Sequence, residues 1–247
     1  MSQKKILPAK KSNAGSPCDL RVPGLLAKQP MIGIVMFLAG ITLFSLFAYN
    51  VWTQGPLIQG DAPLSRQLYS EAVNAPERVI EYVIFGFFVG KELLQVLIII
   101  LSMYFLYKRF WLELAMLLIG AGGGAVIWFL IIDIFDRPRP AEQLGIVVTD
   151  PSFPSGHAIT AVLFYGFLAY LFIPKMPSLF WKCLVGFAAV MTMLYIGFSR
   201  LFLGGHYLTD ILAGYALGLA WAGLVFTLIE SLFMNRTISS AREQLEL

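Results

Sequence analysis

The two histidines of this chain stand in short polar stretches, although most of the sequence is apolar. Residues 150–160 read DPSFPSGHAIT, and residues 199–210 read SRLFLGGHYLTD. Near neutral pH, histidine can act as an acid, a base or a nucleophile. The two stretches are therefore the first places to look for chemistry, and the apolar segments around them must position the histidines.

His206 and Asp210 are four residues apart at the start of an apolar segment. Side chains with this spacing share one face of a helix, so the carboxylate can reach the imidazole. A carboxylate that holds one ring nitrogen leaves the other as a nucleophile or a base. Arg200 ends the preceding apolar segment, and its guanidinium suits phosphate binding. The alternative is a helix-capping His–Asp pair beside an interfacial arginine.

A helix start is predicted immediately before the other histidine. Pro154 prevents an upstream helix from continuing, and Ser155 and Gly156 precede the next apolar segment. Free N–H groups and the positive end of the dipole favour an anion such as phosphate at a helix start. His157 would then lie beside the bound anion. The alternative is an ordinary Pro-Ser-Gly turn with a solvated histidine.

A third polar stretch, DRPRP, covers residues 136–140. Arg137 and Arg139 alternate with prolines, which favour an extended backbone. The pattern predicts that both guanidinium groups lie at a water interface. Taken alone, the stretch is better explained as a rigid charged turn, and its value comes from lying on the same side as the other two stretches.

The composition indicates an integral membrane protein. Hydrophobic residues make up 58% of the 247-residue chain and charged residues 13%, and mean hydropathy is +0.74. One soluble core of this length cannot bury so much apolar surface. The pattern predicts an all-α polytopic bundle of six membrane-spanning helices, each near the roughly 20 residues that cross a bilayer. The six apolar segments are about 30–52, 91–107, 111–132, 158–174, 182–198 and 208–233.

Basic residues set the expected orientation, because lysine and arginine accumulate in cytoplasmic connections. They are Lys4, Lys5, Lys10, Lys11, Arg21 and Lys28 before the first segment, Lys108 and Arg109 after the second, and Lys175 and Lys182 after the fourth. We therefore predict a basic cytoplasmic segment at 1–29, a membrane domain at 30–234 and a cytoplasmic tail at 235–247. The first span is expected to remain uncleaved. All three polar stretches then face outward, at the surface of a bacterial inner membrane.

Three further expectations depend on this topology. Cys18 and Cys183 both fall on the cytoplasmic side and are predicted to be reduced thiols. Residues 76–89 are predicted to lie along the outer interface, with the second crossing starting at Lys91. The alternative is one long tilted helix that carries Lys91 and Glu92 inside the bundle.

In these stretches the sequence resembles the type 2 phosphatidic acid phosphatase (PAP2) superfamily. The pattern of that family is K-x6-R-P, then P-S-G-H, then S-R-x5-H-x3-D. The chain has Arg139-Pro140, then 154–157 as PSGH, then Ser199-Arg200 with His206 and Asp210 at the family spacing.

One position departs from the family pattern. Ile132 stands where the family has its lysine. Arg137 or Lys91 is expected to supply that charge, unless the substrate demands less of it or activity is weakened.

The resemblance implies a metal-independent phosphoryl transfer in two steps, without a cofactor. His206, oriented by Asp210, is expected to attack phosphorus and form a phosphohistidine. His157 is expected to protonate the leaving group and later to activate water. The groups expected to hold the phosphoryl oxygens are Arg139, Arg200, Ser155 and the Gly156 N–H.

The expected substrate is a lipid whose tail stays in the bilayer, and nothing in the sequence points to nucleic acid. Undecaprenyl pyrophosphate, phosphatidic acid, phosphatidylglycerol phosphate and lipid A phosphates all fit, and the oligomeric state is open. The small residues at 120–124 favour close helix packing over a lateral opening for a tail. The alternatives are a lipid phosphotransferase and a non-catalytic lipid-phosphate binding or transport protein. A vanadate haloperoxidase is disfavoured by the membrane spans.

Overall fold

The computed structural model describes residues 30–88, 91–144 and 149–245, and it describes side chains at 30–83, 93–144 and 149–232. The predicted basic segment 1–29, with Cys18, and the side chains of Lys91, Glu92 and the tail lie outside these ranges. The described backbone is helical and contains no strand. The all-α prediction is confirmed.

Eight helices follow one another along the described residues. They are α1 Pro30–Thr53, α2 Asp61–Val73, α3 Pro76–Phe88, α4 Lys91–Lys108, α5 Trp111–Phe135, α6 Gly156–Phe172, α7 Leu179–Phe202 and α8 Leu208–Leu245. Within α5, the α-helical parts Trp111–Leu117 and Gly123–Phe135 are joined by a π-helical turn, Leu118–Gly122. Short 3-10 turns occur at Pro56–Ile58 and Ile173–Lys175.

Five helices in the described part of the chain are long and apolar enough to cross a membrane: α1, α5, α6, α7 and residues Leu208–Leu232 of α8. The count of six is not confirmed, because the second predicted span falls on the shorter helix α4. The apolar part of α4 is Leu93–Lys108. Its 16 residues rise about 24 Å, less than the roughly 30 Å of hydrocarbon in a bilayer.

Helix α8 is the central helix of the bundle. Of its apolar segment 67% is buried, a larger share than in any of the other four spanning helices. It packs against α1 through small residues: a Cβ added to Gly40 would lie 2.6 Å from the Ala216 carbonyl oxygen. Small residues allow two helix backbones to approach in this way. The position of α8 fixes the place of the residues at its start.

The glycine-rich part of α5 also packs closely, as the sequence favoured. A Cβ on Gly123 would lie 2.5 Å from the Trp221 indole, and one on Gly124 would lie 2.2 Å from the Leu163 side chain. Gly122 has no neighbour within 4 Å of such a Cβ. The small residues therefore serve mainly to bring α5 against α6 and α8.

Helices α2 and α3 precede α4 and pack on the bundle. Tyr82 of α3 packs against α7, with its ring centroid 4.6 Å from that of Phe202 and 5.7 Å from that of Phe198. Separate helices are described on either side of residues 89 and 90, which themselves lie outside the described residues. The interfacial position of 76–89 stays a prediction.

Candidate active site

Two connections at one end of the bundle carry the polar stretches. Residues 136–155 join α5 to α6, and residues 203–207 join α7 to α8. The first connection is hydrogen-bonded to the second, since the Leu144 N–H donates to the Leu203 carbonyl oxygen at 2.9 Å. It is also bonded to the first turn of α8, since the Ser155 N–H donates to the Asp210 carbonyl oxygen at 3.0 Å. The last turn of α7 and the first turns of α6 and α8 thus meet at one site.

The segment before α6 is fixed by aromatic packing. The fully buried ring of Phe153 lies with its centroid 4.9 Å from that of Phe135. The indole of Trp128 donates to the Pro154 carbonyl oxygen at 3.0 Å. A Cβ at Gly156 would lie 3.0 Å from that indole, which favours glycine at the helix start. The α6 N-terminus is therefore held in one orientation.

A tight turn places His206 just before α8. Gly204 has a φ of +71°, and a Cβ there would lie 2.1 Å from the Glu142 carbonyl oxygen, so only glycine fits. The N–H groups of Gly205 and His206 both donate to the Arg200 carbonyl oxygen, at 2.9 and 3.3 Å. Arg200 itself is half-buried in the last turn of α7. Its backbone thus anchors the turn that carries His206.

The hydrogen bonds of His206 define its tautomer. Nδ1 lies 2.8 Å from the carbonyl oxygen of Ser152, which can only accept, so Nδ1 carries the proton. Nε2 lies 3.2 Å from the Arg139 guanidinium and accepts from it. The Asp210 carboxylate is farther from Nδ1, at 3.8 Å. The Ser152 carbonyl, which the sequence argument missed, is therefore the nearer partner of the ring.

Burial keeps this imidazole neutral. His206 is 3% exposed, and desolvation lowers its pKa from the ordinary 6.5, as does the positive charge of Arg139. The Asp210 carboxylate acts in the opposite direction and only partly offsets these effects. A neutral ring with its lone pair on Nε2 is the form that a nucleophile requires.

Arg139 is held by backbone oxygens around the site. Its guanidinium donates to the carbonyl oxygens of Gly205 at 2.5 Å, Asp150 at 2.8 Å and Pro151 at 3.3 Å, in addition to His206. Burial lowers its pKa, and the group nevertheless stays a cation, because the arginine guanidinium is not deprotonated in proteins. A fixed guanidinium beside Nε2 is suited to bind an anion, and the phosphate-binding role of Arg139 stays a prediction.

The start of α6 lies on the same side of the site as the His206 imidazole and the Arg139 guanidinium. The Ser155 hydroxyl is fully buried and has no hydrogen-bond partner among the described residues. Gly156 and His157 form the first turn of α6, where backbone N–H groups have no partner within the helix. The His157 and His206 rings lie 6.1 Å apart, edge to face. The structure therefore brings both histidines, Arg139, Ser155 and Gly156 together.

Arg137 is buried in ion pairs, and the prediction that it lies at a water interface is wrong. It is 8% exposed, and its guanidinium is 2.5 Å from an Asp210 oxygen and 2.8 Å from an Asp61 oxygen. Pairing with two buried carboxylates draws it inward. With both terminal nitrogens engaged, Arg137 is not placed to supply the charge missing at Ile132, which is buried in α5. The other candidate, Lys91, has its side chain outside the described residues.

The sequence argument also missed Asp61. Its carboxylate contacts Thr209, which is 148 residues away, and no spacing rule connects the two positions. As for a metal, the described residues hold no cluster of three or more His, Cys, Asp or Glu side chains that could bind an ion. The site is built from histidines, arginines and carboxylates.

Comparison with known proteins bears on this arrangement. A family model of the PAP2 superfamily matches residues 111–233, which contain both histidines, Asp210 and the two predicted phosphate-binding arginines. Phosphatidylglycerophosphatase B of Bacillus subtilis is 33% identical over 139 residues, which are 56% of this chain and 66% of that protein. The chain belongs to the PAP2 superfamily.

A second relative and one solved structure are also similar to this chain. Lipid A 1-phosphatase of Rhizobium johnstonii is 35% identical over 78 residues, which are 32% of this chain and 28% of that protein. The crystal structure of the first transmembrane PAP2 type phosphatidylglycerolphosphate phosphatase, from Bacillus subtilis, superposes with a TM-score of 0.65 at 27% identity. The match covers 76% of this chain and 94% of that one. Relatives named as phosphatases support a phosphoric monoester hydrolase in an integral membrane protein.

Proposed function

We propose that the chain is a metal-independent lipid phosphatase that works through a phosphohistidine. The observation that carries the proposal is the setting of His206. Its Nδ1–H donates a hydrogen bond to the Ser152 carbonyl oxygen, and its Nε2 lies 3.2 Å from the Arg139 guanidinium. A neutral nucleophile and a fixed cation thus meet at one point, beside a helix N-terminus.

In the first step, Nε2 of His206 attacks phosphorus and the P–O bond to the leaving group breaks. The leaving oxygen takes a proton from His157, whose ring lies beside that of His206. Arg139, Arg200, the Ser155 hydroxyl and the Gly156 N–H hold the phosphoryl oxygens as negative charge builds on them. Asp210 stabilises the positive charge that the imidazole gains on bonding to phosphorus.

In the second step, His157 takes a proton from water, and the resulting hydroxide attacks phosphorus. The P–N bond breaks, inorganic phosphate leaves, and His206 returns to its neutral form. Both steps use the same phosphoryl-binding groups, so one pocket serves the whole cycle.

The substrate class that we propose is a lipid phosphate or pyrophosphate at the outer face of the inner membrane. The named relatives act on phosphatidylglycerophosphate and lipid A, and the end of the bundle that carries the site lies opposite the basic connections at 108–109 and 175–182. A site at the end of apolar helices suits a phosphate whose tail remains in the bilayer.

The test is inorganic phosphate release by the full-length protein in detergent, with EDTA, from phosphatidic acid, phosphatidylglycerol phosphate, lipid A and undecaprenyl pyrophosphate. His206→Ala is expected to abolish release, because loss of a nucleophile costs several orders of magnitude. Cys183→Ser is the matched control, since Cys183 is exposed at the other end of α7 and should leave the rate unchanged. His206→Ala activity within about tenfold of wild type would remove His206 as nucleophile.

Reactions with a 32P-labelled lipid separate the remaining possibilities. They are quenched in denaturing detergent at alkaline pH, because the P–N bond of a phosphohistidine hydrolyses in acid. Label on wild-type protein, and none on His206→Ala, is expected for a phosphohistidine. Binding of lipid without phosphate release would instead favour the non-catalytic alternative and give Ile132 the deciding role. Release only in the presence of a second lipid acceptor would favour a phosphotransferase.

The orientation is tested with the native thiol. In a Cys18→Ser background, Cys183 is expected to react with a membrane-impermeant maleimide only after the cells are permeabilised. A cysteine placed by Glu142→Cys, in a Cys18→Ser/Cys183→Ser background, is expected to react in intact cells. The reverse pattern would place the site on the cytoplasmic side.

A further inference from the structure

A buried ionic network joins the outer helix α2 to the start of α8. Asp61, the first residue of α2, is 3% exposed. One of its oxygens accepts the Thr209 N–H at 3.2 Å, and the other accepts the Thr209 hydroxyl and an Arg137 nitrogen, the latter at 2.8 Å. Asp61 thus caps the N-terminus of α8 from a different helix.

Arg137 stands between two buried carboxylates. One terminal nitrogen is 2.5 Å from Asp210 and 2.8 Å from the Thr209 hydroxyl, and the other nitrogen is bonded to Asp61. A buried ion depends on its partners, since water does not compensate its charge. Asp61 therefore fixes the position of the Arg137 guanidinium that bonds to Asp210.

Apolar packing holds α2 over the same junction. Leu64 and Leu68 of α2 pack against a buried cluster formed by Ala158 at the start of α6, Leu201 near the end of α7 and Ile211 near the start of α8. These three helix ends carry His157, Arg200 and Asp210. Helix α2 is thus fixed to the elements that form the site, and Asp61 is its polar contact with them.

The charges in the network affect the chemistry of His206. Asp210 is 3.8 Å from the His206 ring and carries the negative charge that faces it. If Arg137 lost Asp61, its whole charge would be directed at Asp210, and less of the carboxylate charge would remain to stabilise a positive imidazole. The weaker stabilisation raises the free energy of the transition state, in which the ring bonds to phosphorus and becomes positive. It has little effect on substrate binding, because the ring is still neutral at that stage.

We propose that Asp61 is a positioning residue for phosphoryl transfer, which through Arg137 holds Asp210 and leaves its charge available to His206. The inference rests on the proposed function, since it assigns Asp61 a role in that reaction. Asp61 touches neither the phosphate-binding groups nor the His206 ring among its described contacts. Its effect is expected in kcat and not in KM.

The first experiment compares full-length Asp61→Asn with wild type in detergent, on whichever panel lipid the wild type hydrolyses fastest. We expect kcat to fall about tenfold or more, the scale of one charge-assisted hydrogen bond, with KM unchanged. Glu71→Gln is the matched control: it removes one charge from the exposed face of the same helix and should behave as wild type. A wild-type kcat in Asp61→Asn would overturn the inference, whatever happens to thermal stability.

The double variant Asp61→Asn/Asp210→Asn tests the route through Asp210. If Asp61 acts through Asp210, the double variant has the kcat of Asp210→Asn alone. A further loss equal to that of Asp61→Asn in the wild-type background would overturn the inference.

Thr209→Val provides a second test if Asp61→Asn does not fold. It removes the hydroxyl between Asp61 and Arg137 and keeps all three charges. A lower kcat at unchanged KM supports the inference, and a wild-type kcat overturns it. His206→Ala tests the proposed function separately from the role of Asp61. If His206→Ala loses phosphate release and the Asp61 variants do not, the proposed function stands and the inference about Asp61 is wrong.

Discussion

Arg137 and Arg139 are two residues apart in one connection, and they lie in different surroundings. Arg137 is buried between Asp61 and Asp210, whereas Arg139 is half-buried among backbone carbonyl oxygens with His206 beside it. Charges of opposite sign already compensate Arg137. Arg139 is held in place by neutral groups, so its charge is available to an anion. The same side chain thus stabilises the fold at one position and faces the site at the other.

The largest effect that we expect is on folding, from Arg137→Met. Removing the cation leaves two buried carboxylates uncompensated, which costs about 3–5 kcal/mol. For a protein of this size, the thermal unfolding midpoint should fall by on the order of 10 °C or more. The measurement is thermal unfolding in detergent, and an unchanged midpoint would show that Arg137 is not needed for stability.

Arg139→Ala should give the opposite result. The variant removes a donor from the phosphoryl site, and kcat/KM should fall about 10²–10³-fold. Its unfolding midpoint should stay close to that of wild type, because no buried charge loses its partner. The comparison fails if the midpoint falls as far as in Arg137→Met while kcat/KM changes little.

The pH dependence sharpens the comparison further. Protonated His206 cannot attack, and burial together with Arg139 lowers its pKa below the ordinary 6.5. Activity should therefore be more than half of its maximum at pH 6.5 and fall about tenfold per pH unit only below the lowered pKa. Arg139→Gln removes one cause of the lowering, so the acid limb of its residual kcat/KM should move to higher pH. A wild-type acid limb at or above pH 7 would contradict this.

The smallest effect concerns the ring that covers Arg137. The guanidinium carbon lies 4.4 Å from the centroid of the Tyr207 ring. Tyr207→Leu should cost about 1 kcal/mol of stability through loss of this cation–π contact, or 2–4 °C in the unfolding midpoint. Tyr207→Phe keeps a ring and should retain most of that stability. Equal losses in both variants would mean that the hydroxyl, and not the ring, is what matters.

The sequence by itself determined the helical membrane architecture and the identity of most candidate site residues. A long apolar segment can satisfy all its backbone hydrogen bonds within itself only as a helix, so five spans could be predicted from composition and length. The PSGH and SRLFLGGHYLTD stretches give His157, His206 and Asp210 a local spacing that can be read directly from the sequence. The second span is not confirmed, because the apolar part of α4 covers only Leu93–Lys108.

Only the tertiary structure decided which groups touch. Arg137 and Arg139 are equivalent in the sequence, and the burial of one of them depends on two carboxylates that arrive from α2 and α8. The Ser152 carbonyl became the partner of the His206 ring because two connections pack together. Asp61 meets Thr209 across 148 residues. Contacts of this kind depend on how helices pack, and local spacing carries no information about that packing.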